Sequence, residues 1–209
     1  MKQALTAEAF FSRIAVSRET EERLRIYANL LRKWQKSINL VGPASLADVW
    51  RRHFLDSAQL FPLFVPGDHL DLGSGAGFPG LVVAILGDGS RTSHLVDSDH
   101  RKIAFLREAA RVTNTKITLH ADRIDSLSPF PVANITARAL APLPTLLEWA
   151  APFMQPGGQC LFLKGEKLED ELTAVAKDWK MQAERIPSQS DPCGAILRVK
   201  EVNRGRDDT

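Results

Sequence analysis

A run of ten residues from Asp71 to Gly80 has the composition of a site for a nucleotide-like ligand. It reads Asp-Leu-Gly-Ser-Gly-Ala-Gly-Phe-Pro-Gly and follows a short apolar strand. Its glycines are Gly73, Gly75, Gly77 and Gly80. Glycine is needed where the backbone takes a positive φ or comes close to a ligand, so we expect a side chain at these positions to fill the space of the ligand. The alternative is a glycine-rich turn that binds nothing.

Two classes of ligand fit this loop. The segment from Gly75 to Gly80 satisfies the G-x-G-x-x-G fingerprint of dinucleotide sites. The segment from Gly73 to Gly77, which reads G-x-G-x-G, fits the loop that binds S-adenosylmethionine better. Asp71 precedes the first glycine, where an S-adenosylmethionine enzyme uses an acid near the methionine moiety. Dinucleotide sites have no such need, so the position of this acid favours S-adenosylmethionine.

The residues that follow the loop agree with this interpretation. Pro79 suits the first turn of a helix, so the ligand loop is expected to end before a helix at about residues 79–86. Asp97 follows the next apolar strand, at residues 93–96. It is placed to accept hydrogen bonds from ribose hydroxyls in either cofactor class.

The composition is that of an ordinary soluble globular protein with one sizeable core. The chain has 209 residues, of which 44% are hydrophobic, and a net charge of +2. The sequence shows neither the apolar run of a signal peptide nor a membrane span, so we expect a cytoplasmic protein without a membrane partner. Two cysteines, Cys160 and Cys193, agree with a reducing compartment. Five scattered histidines show no ligand spacing, and we expect no metal site.

Residues 1–66 have the pattern of an all-helical lobe. Ser17, followed by three glutamates, is a helix start that places negative charge at the positive end of the helix dipole. The spacing Ser45-x-x-Asp48 resembles a second capping signal, which predicts another helix after it.

From residue 67 to 202, short apolar strands alternate with helical segments. The predicted strands are residues 70–72, 93–96, 117–119, 133–136, 160–163 and 196–202. This alternation predicts an α/β domain with a parallel sheet, to which the last strand adds an antiparallel edge. Residues 203–209 form a polar tail that we expect to be mobile.

Positive charge is concentrated in the helical region. Residues 13–53 contain nine Arg or Lys and four acids. The cluster Arg51-Arg52-His53 brings three potential donors together just before the α/β domain, which favours a surface that attracts phosphates. The alternative is the solvated face of amphipathic helices.

Segments spread over nearly the whole chain match one enzyme family. Besides the loop at 71–80 they are Trp34, Asn39-Leu40, Arg52-His53, Leu55-Asp56-Ser57, Leu95-Val96-Asp97-Ser98, Lys102, Phe105-Leu106, Ala137-Arg138-Ala139 and Leu163-Lys164-Gly165. In this order they resemble the small-subunit ribosomal RNA guanine-N7 methyltransferases, once called glucose-inhibited division protein B. The resemblance implies a class I S-adenosylmethionine-dependent methyltransferase fold, with a Rossmann-like, mostly parallel seven-stranded sheet and a small N-terminal helical extension.

The resemblance also implies a reaction and a set of site residues. The reaction is methylation of N7 of a specific guanine, guanine 527, in 16S ribosomal RNA. The acceptor is the RNA itself or the small ribosomal subunit, and we expect a monomeric enzyme. The residues that contact S-adenosylmethionine by similarity are Gly73, Phe78, Ile124, Asp125 and Arg138, to which the glycine loop adds Gly75 and the end of the next strand adds Asp97. The family often has serine where this chain has Ala137. Either Asp122 or Asp125 is a candidate to reach the adenine amine.

Methylation of guanine N7 requires little acid–base catalysis from the protein. This nitrogen carries an in-plane lone pair and no proton at neutral pH, so it is able to attack a sulfonium methyl group without a general base. The enzyme has to supply in-line placement. Residues 137–142 contain neither the segment used on exocyclic amines nor a Pro-Cys nucleophile. Arg138 and Lys164, at the carboxyl ends of predicted strands, are candidates to organise the cofactor carboxylate or an RNA phosphate.

Asn39, Arg52 and His53 are assigned, as a hypothesis, to orienting the RNA or closing the cleft. His53 has an alternative role as a capped core histidine. Two other functions compete with RNA methylation: an RNA-binding ribosome-assembly factor with a vestigial cofactor loop, and a methyltransferase of a small molecule or protein. The intact glycines, with Asp71 and Asp97, argue against the first. The basic helical region, in place of an apolar lid, argues against the second.

Overall fold

The computed structural model describes residues 4–205, which form one seven-stranded sheet with helices on both faces. The strands are β1 (His69–Leu72), β2 (Ser93–Val96), β3 (Thr118–His120), β4 (Val132–Arg138), β5 (Met154–Lys164), β6 (Trp179–Pro187) and β7 (Ala195–Arg204). Their order in the sheet is β3-β2-β1-β4-β5-β7-β6. The first five strands are parallel, and β7 pairs antiparallel with both β5 and β6. The predicted mostly parallel seven-stranded sheet is therefore confirmed.

In this part of the chain, four α-helices precede the first strand, and the later helices alternate with strands as the sequence predicts. The helices are α1 (Ala7–Phe11), α2 (Arg18–Trp34), α3 (Pro43–Leu46), α4 (Asp56–Ala58), α5 (Gly80–Gly87), α6 (His100–Val112), α7 (Leu143–Ala150) and α8 (Leu168–Val175). A π-helical turn, Trp50–Leu55, runs directly into α4. Because β1, β2, β4 and β5 are parallel, their carboxyl ends and the loops after them share one edge of the sheet.

The N-terminal helices pack onto the α/β domain through a common apolar core. Ser17 caps α2 as predicted, because its Oγ accepts a hydrogen bond from Thr20 N at 3.1 Å. The buried face of α2 includes Leu24 and Leu31 and packs in one cluster with Phe105 of α6. A second cluster fills the other face of the sheet, against α7 and α8. The placement of a domain boundary at residue 66 stays a prediction.

The predicted capping signal at Ser45 and Asp48 was wrong. The helical turn begins earlier, after Gly42, because Pro43 is suited to the first helical position. Ser45 therefore lies inside α3, and its hydroxyl donates to the carbonyl of Gly42 at 2.8 Å. Asp48 accepts from the backbone N–H of Leu5 at 2.7 Å instead of capping a helix.

The polar segment that the sequence assigns to a tail from residue 203 begins inside the last strand, and the mobility of the tail stays a prediction. β7 continues to Arg204, where Arg204 pairs with Trp179 and Asn203 with Lys180 of β6. The backbone pairing, which is independent of side-chain polarity, extends the strand through this polar segment. Residues 206–209 of the predicted tail lie outside the described residues. Between residues 4 and 205, no helix has the length and apolar character needed to cross a membrane.

Candidate functional site

Asp71 holds the glycine loop in place through a hydrogen bond from within the core. It is fully buried at the end of β1, where its carboxylate accepts from Thr136 Oγ1 at 2.6 Å and from Gly80 N at 3.1 Å. The Thr136 hydroxyl in turn accepts from His69 Nε2 at 2.8 Å. Burial raises the pKa of Asp71 to about 6. These partners hold the Asp71 side chain inside the protein, beneath the glycine loop, and its nearness to the methionine moiety of the cofactor stays a prediction.

The glycines of the loop are required for two different reasons. At Gly77, a Cβ atom would meet Tyr27 Oη and the side chains of Leu81 and Leu106 within 3.0 Å. At Gly80 a Cβ would collide with Asp71. These glycines make room for protein atoms, contrary to the expectation that a side chain would fill the space of the ligand.

Gly75 is the glycine that leaves space next to the loop. Its φ is +56°, in the left-handed region, and the nearest atom to an added Cβ is a backbone oxygen 3.9 Å away. Its backbone N–H donates to Asp97 Oδ2 at 2.8 Å. The other carboxylate oxygen of Asp97 accepts from Asp99 N at 2.9 Å, and Lys102 Nζ lies 3.8 Å from Oδ2. Asp97 therefore ties the glycine loop to the end of β2.

A cavity of about 230 Å³ opens beside Gly73 and Asp97. Its lining consists of Gly73, Val96, Asp97, Ser98, Lys102, Asp122, Arg123, Ile124, Leu140 and Trp149. Gly73, Asp97 and Ile124 were predicted as cofactor-binding residues, and the structure brings them together here. Leu140 and Trp149 were not identified from the sequence as lining residues, because neither belongs to a recognisable motif after β4.

The lining of this smaller cavity suits S-adenosylmethionine. Leu140 and Trp149 offer apolar surface for a flat base, and Asp97 offers a carboxylate that remains 9% exposed. Asp122 also lines the cavity. Both aspartates are exposed, and the carboxylate of Asp125 forms a two-point ion pair with Arg123, with N–O distances of 3.0 and 2.8 Å. Of the two candidate aspartates, Asp122 is thus the one that lines the cavity.

Arg138, at the end of β4, connects the sheet to the N-terminal helices. Its Nη1 donates to the carbonyl of Arg52 at 2.9 Å, and its Nη2 donates to His53 Nδ1 at 2.9 Å. Asp56 Oδ2 lies 3.4 Å from Nη1. The guanidinium carbon also sits 5.3 Å from the centre of the Phe78 ring. These contacts fix the arginine at the junction of three segments that are far apart in sequence.

Phe78 belongs to the core more than to the cavity surface. It is 3% exposed and stacks on Tyr27, with ring centres 5.3 Å apart. The hydroxyl of Tyr27 donates to the carbonyl of Ala76 in the glycine loop. The His53 ring packs on Phe78 at 4.9 Å. The phenyl ring therefore supports the loop and Arg138 from beneath.

His53 is held in the neutral form with one defined tautomer. Because an arginine only donates, Nδ1 of His53 accepts from Arg138, and the proton lies on Nε2, which donates to Ser45 Oγ at 2.8 Å. Burial, together with the positive charges of Arg138 and Arg52, lowers the pKa of His53 to about 3. This geometry agrees with the alternative of a buried, bonded histidine that also lines a cavity.

A larger cavity of about 520 Å³ lies on the other side of Arg138. Its walls include Ser45, Arg52, His53, Asp56, Arg138, Lys164, Glu171, Ser190 and Asp191. Arg138 and Ala139 line this cavity, whereas Leu140 lines the smaller one. Ala139 has a left-handed φ of +48°, so that the chain turns sharply between the two cavities. The segment after β4 therefore forms the wall between them.

Lys164 and Asn39 have surroundings that the sequence does not reveal. Lys164 lines the larger cavity, but its Nζ is engaged by Glu171 Oε2 at 2.5 Å and by the carbonyl of Ala141 at 3.2 Å. Asn39 is exposed, accepts from Gln35 Nε2 at 3.2 Å and lines neither cavity. The structure thus groups Arg52, His53 and Lys164 around one cavity and leaves Asn39 outside it. In the described part of the chain, no group of three or more potential metal ligands comes together.

Structural comparison shows the same fold in methyltransferases. A putative class I S-adenosylmethionine-dependent methyltransferase from Listeria monocytogenes superposes with a TM-score of 0.57 at 16% identity, over 98% of this chain and 80% of that one. Fibrillarin from Aeropyrum pernix, solved with natively bound S-adenosyl-L-methionine, superposes with a TM-score of 0.56 at 15% identity, over 72% of this chain and 75% of the other. At these low sequence identities, the two superpositions show that the fold is shared.

Sequence comparison identifies the family. The family model described as rRNA small subunit methyltransferase G matches residues 20–194. Ribosomal RNA small subunit methyltransferase G of Paramagnetospirillum magneticum is 57% identical, over 95% of this chain and 97% of its own length. The protein of that name from Rhodospirillum rubrum is 56% identical, over 96% and 100%. This chain therefore belongs to the rRNA small subunit methyltransferase G family, and it is an S-adenosylmethionine-dependent methyltransferase whose substrate is ribosomal RNA.

Proposed function

We propose that this enzyme methylates N7 of a specific guanine, guanine 527, in 16S ribosomal RNA, and that the guanine enters the larger cavity beside Arg138. The state of His53 supports the proposal most directly. It lines this cavity, yet Nδ1 accepts from Arg138 and Nε2 donates to Ser45. Neither nitrogen is available to take a proton from a substrate. A reaction in which the acceptor atom carries no proton suits such a site.

Two of the acids that line the cavity, Asp56 and Glu171, are engaged in a similar way. Asp56 accepts from Ser190 Oγ at 2.5 Å and lies against Arg138. Glu171 accepts from Lys164 and from the backbone N–H of Leu143 at 2.9 Å. These contacts hold the cavity wall in one shape. We infer that catalysis depends on placing the base, which is the contribution that direct attack by N7 requires.

The smaller cavity is our proposed cofactor site. S-adenosylmethionine, when bound, supplies a methyl group on a positively charged sulfur. The residues proposed to hold the cofactor are Gly73, Gly75, Phe78, Asp97, Ile124, Asp125 and Arg138. Gly73, Asp97 and Ile124 would bind through groups that line the cavity. Phe78 and Arg138 would act by shaping the loop, because the side chain of Phe78 is buried and Arg138 faces the larger cavity. Asp125 would contribute through its backbone, since its carboxylate pairs with Arg123.

Arg52 is our first candidate for contact with the RNA backbone. It lies at the rim of the larger cavity with a side chain that is 52% exposed. Its carbonyl accepts from Arg138, so that the backbone of this residue is fixed, while its guanidinium is half-exposed and pairs with Asp191 at the rim. Arginine binds phosphate through two parallel N–H groups. Lys164 would support the cavity wall, and Asn39 would touch RNA outside it.

The test is transfer of a labelled methyl group from S-adenosylmethionine to acceptors from cells that lack this protein. The acceptors are small ribosomal subunits and, separately, their naked RNA, and the product is analysed as nucleosides. Label in 7-methylguanosine at guanine 527 of 16S RNA is the expected result. The better acceptor identifies the form of the RNA that is recognised in the cytoplasm, where subunits assemble. Label in another nucleoside, or no transfer with cofactor binding intact, would contradict the proposal. We expect a monomer, which sedimentation would check.

A further inference from the structure

Three of the cations that line the larger cavity, Lys164, Arg138 and Arg52, are held in ion pairs. Lys164 pairs with Glu171 and Arg138 with Asp56, and the side chains of these four residues are 7 to 23% exposed. The third pair joins Arg52 Nη1 to Asp191 Oδ2 at 3.1 Å. Its side chains are 52% and 39% exposed, so it lies at the open rim. The rim pair is thus the one of the three that a ligand is able to reach without entering the protein.

The loop that carries Asp191 does not depend on this ion pair for its position. Residues 188–194 connect β6 to β7 and form one wall of the cavity. Ser190 Oγ donates to Asp56 Oδ1 at 2.5 Å, and Gln189 N donates to Gln59 Oε1 at 2.7 Å. These bonds attach the loop to the segment around α4. These bonds keep the wall in place when the Asp191 carboxylate turns away from Arg52, a movement in which it also gives up the hydrogen bond from Cys193 N.

We propose that Arg52 and Asp191 form a phosphodiester-binding position in which the Asp191 carboxylate occupies the place of an RNA phosphate in the free enzyme, and that bound ribosomal RNA displaces this carboxylate from Arg52. The inference rests on the proposed function, since it assumes that RNA enters the larger cavity. Carboxylate and phosphate present similar pairs of oxygens to a guanidinium, so that one replaces the other without a change in the position of Arg52.

Because the Arg52–Asp191 pair is half-exposed, little free energy is lost when RNA separates it. A half-exposed ion pair contributes little to stability, because water screens it and two long side chains must be ordered. A phosphate that arrives with the rest of a bound RNA meets a guanidinium whose backbone is already fixed by Arg138. In contrast, the buried pairs of Arg138 and Lys164 stay intact.

One consequence concerns specificity. An RNA that offers one phosphate near Arg52, and no further contacts, has to compete with the Asp191 carboxylate and is repelled by it. An RNA that also places a guanine in the cavity has additional contacts to offset this competition. Asp191 thus lowers affinity for all RNA and penalises poorly fitting RNA most, as a repulsive element in a binding site does.

Replacement of the charge without a change of shape tests the proposal. Asp191→Asn keeps the Oδ1 atom that accepts from Cys193 N at 3.0 Å, so that the turn is preserved. The measurement is the Kd for naked small-subunit RNA at several salt concentrations. We expect Asp191→Asn to bind about two- to fivefold tighter, the equivalent of one half-exposed ion pair. We also expect the slope of log K against log salt to steepen by about 0.7, as for one additional phosphate neutralised.

A matched control removes an equal charge elsewhere. Glu184→Gln, on the exposed β6, loses an ion pair with Arg198 at 2.8 Å and lines neither cavity. We expect it to leave both the Kd and the salt slope close to those of the wild type. In an Arg52→Gln background, the gain from Asp191→Asn should fall to the size of the Glu184→Gln effect. In methyl transfer, Asp191→Asn should lower KM for RNA and leave kcat unchanged.

Equal or weaker RNA binding by Asp191→Asn than by the wild type, or a gain that persists without Arg52, would overturn the inference. Such a result would leave the proposed function untouched as long as the wild-type enzyme forms 7-methylguanosine. Conversely, a failure of the wild type to form 7-methylguanosine would refute the proposed function, while tighter binding by Asp191→Asn would still identify a phosphate position at Arg52.

Discussion

Arg138 donates a hydrogen bond from Nη2 to Nδ1 of His53 at 2.9 Å. The two residues are 85 positions apart in sequence and belong to different parts of the fold: the end of the central strand β4 and the π-helical turn of the N-terminal segment. Through this bond the helical segment becomes one wall of the cavity at the carboxyl edge of the sheet. The stability of the site and its shape therefore depend on the same contact.

Replacement of Arg138 by lysine should destabilise the enzyme although the charge is kept. A single ammonium group cannot donate both to the Arg52 carbonyl and to His53 while lying flat on Phe78. We expect the free energy of unfolding to fall by about 1.5 to 3 kcal/mol, the range for hydrogen bonds from a charged group. Urea unfolding measures it. Arg185→Lys, at an exposed ion pair, is the control and should change little.

His53 should make the stability of the enzyme depend on pH in the acid range. Its pKa is about 3 in the folded protein and close to 6.5 when unfolded, so the unfolded chain binds an extra proton between these values. Stability is full above pH 6.5 and falls as the pH drops toward 3. From pH 7 to 5 the loss due to this group is about 2 kcal/mol.

The comparison of wild type with His53→Gln isolates this contribution. Other groups also titrate in this range: burial lowers the pKa of His69, to about 3, and those of His94 and His120, whereas the raised pKa of Asp71, about 6, gives the opposite sign. All of them are present in both proteins, so their effects cancel in the difference. Urea unfolding at pH 7 and pH 5 should show a smaller loss for the variant. Equal losses would mean that folding leaves the pKa of His53 unchanged, contrary to this prediction.

Alanine at two glycines of the loop should have different effects. At Gly77 the added Cβ overlaps three side chains and φ is +91°, so we expect a loss of about 2 to 5 kcal/mol in unfolding free energy. At Gly75 the space is open, and the left-handed backbone alone costs about 1 to 2 kcal/mol. The folded Gly75→Ala variant should still bind S-adenosylmethionine less tightly, because the methyl group occupies space beside the cavity. Thermal unfolding and calorimetry distinguish the two effects.

Asp97→Asn should weaken cofactor binding more than it weakens the fold. The change removes the charge that holds Gly75 N and faces the smaller cavity. We expect affinity for S-adenosylmethionine to fall by about 1.5 to 3 kcal/mol, as for a hydrogen bond to a charged group. Asp99→Asn, at the N-cap of α6, serves as the control, since its side chain accepts from Arg101 N outside the cavity. Equal affinities for wild type and Asp97→Asn would remove Asp97 from the cofactor site.

Local patterns in the sequence predict the sheet and the loop well. The acid and glycines of residues 71–80 and the acid at the end of β2 lie where strand, loop and helix signals place them. β6 had no such signal: most of its side chains are exposed, so it lacks the apolar alternation that marked the other strands. Its position follows from pairing with β7.

The environments of the site residues could not be predicted from the sequence, because their partners are distant in the chain. The buried carboxylate of Asp71 is hydrogen-bonded by Thr136 of β4, and the charge of Lys164 is neutralised by Glu171 of α8. The position of Phe78 in the glycine-rich motif suggests contact with the ligand, but its side chain stacks on Tyr27 of α2. The residue types indicated the kind of reaction, whereas the tertiary contacts determine which side chains line the cavities.

The most direct test of guanine N7 as the acceptor uses 16S RNA transcribed in two forms, with guanosine or with 7-deazaguanosine, in which a C–H group replaces N7. Each RNA is incubated with the enzyme and labelled S-adenosylmethionine, and binding of both RNAs is measured in parallel. The account predicts label in 7-methylguanosine with the first RNA and no label with the second, at similar RNA affinity. Label in the 7-deaza RNA, or in any nucleoside other than 7-methylguanosine, would contradict it.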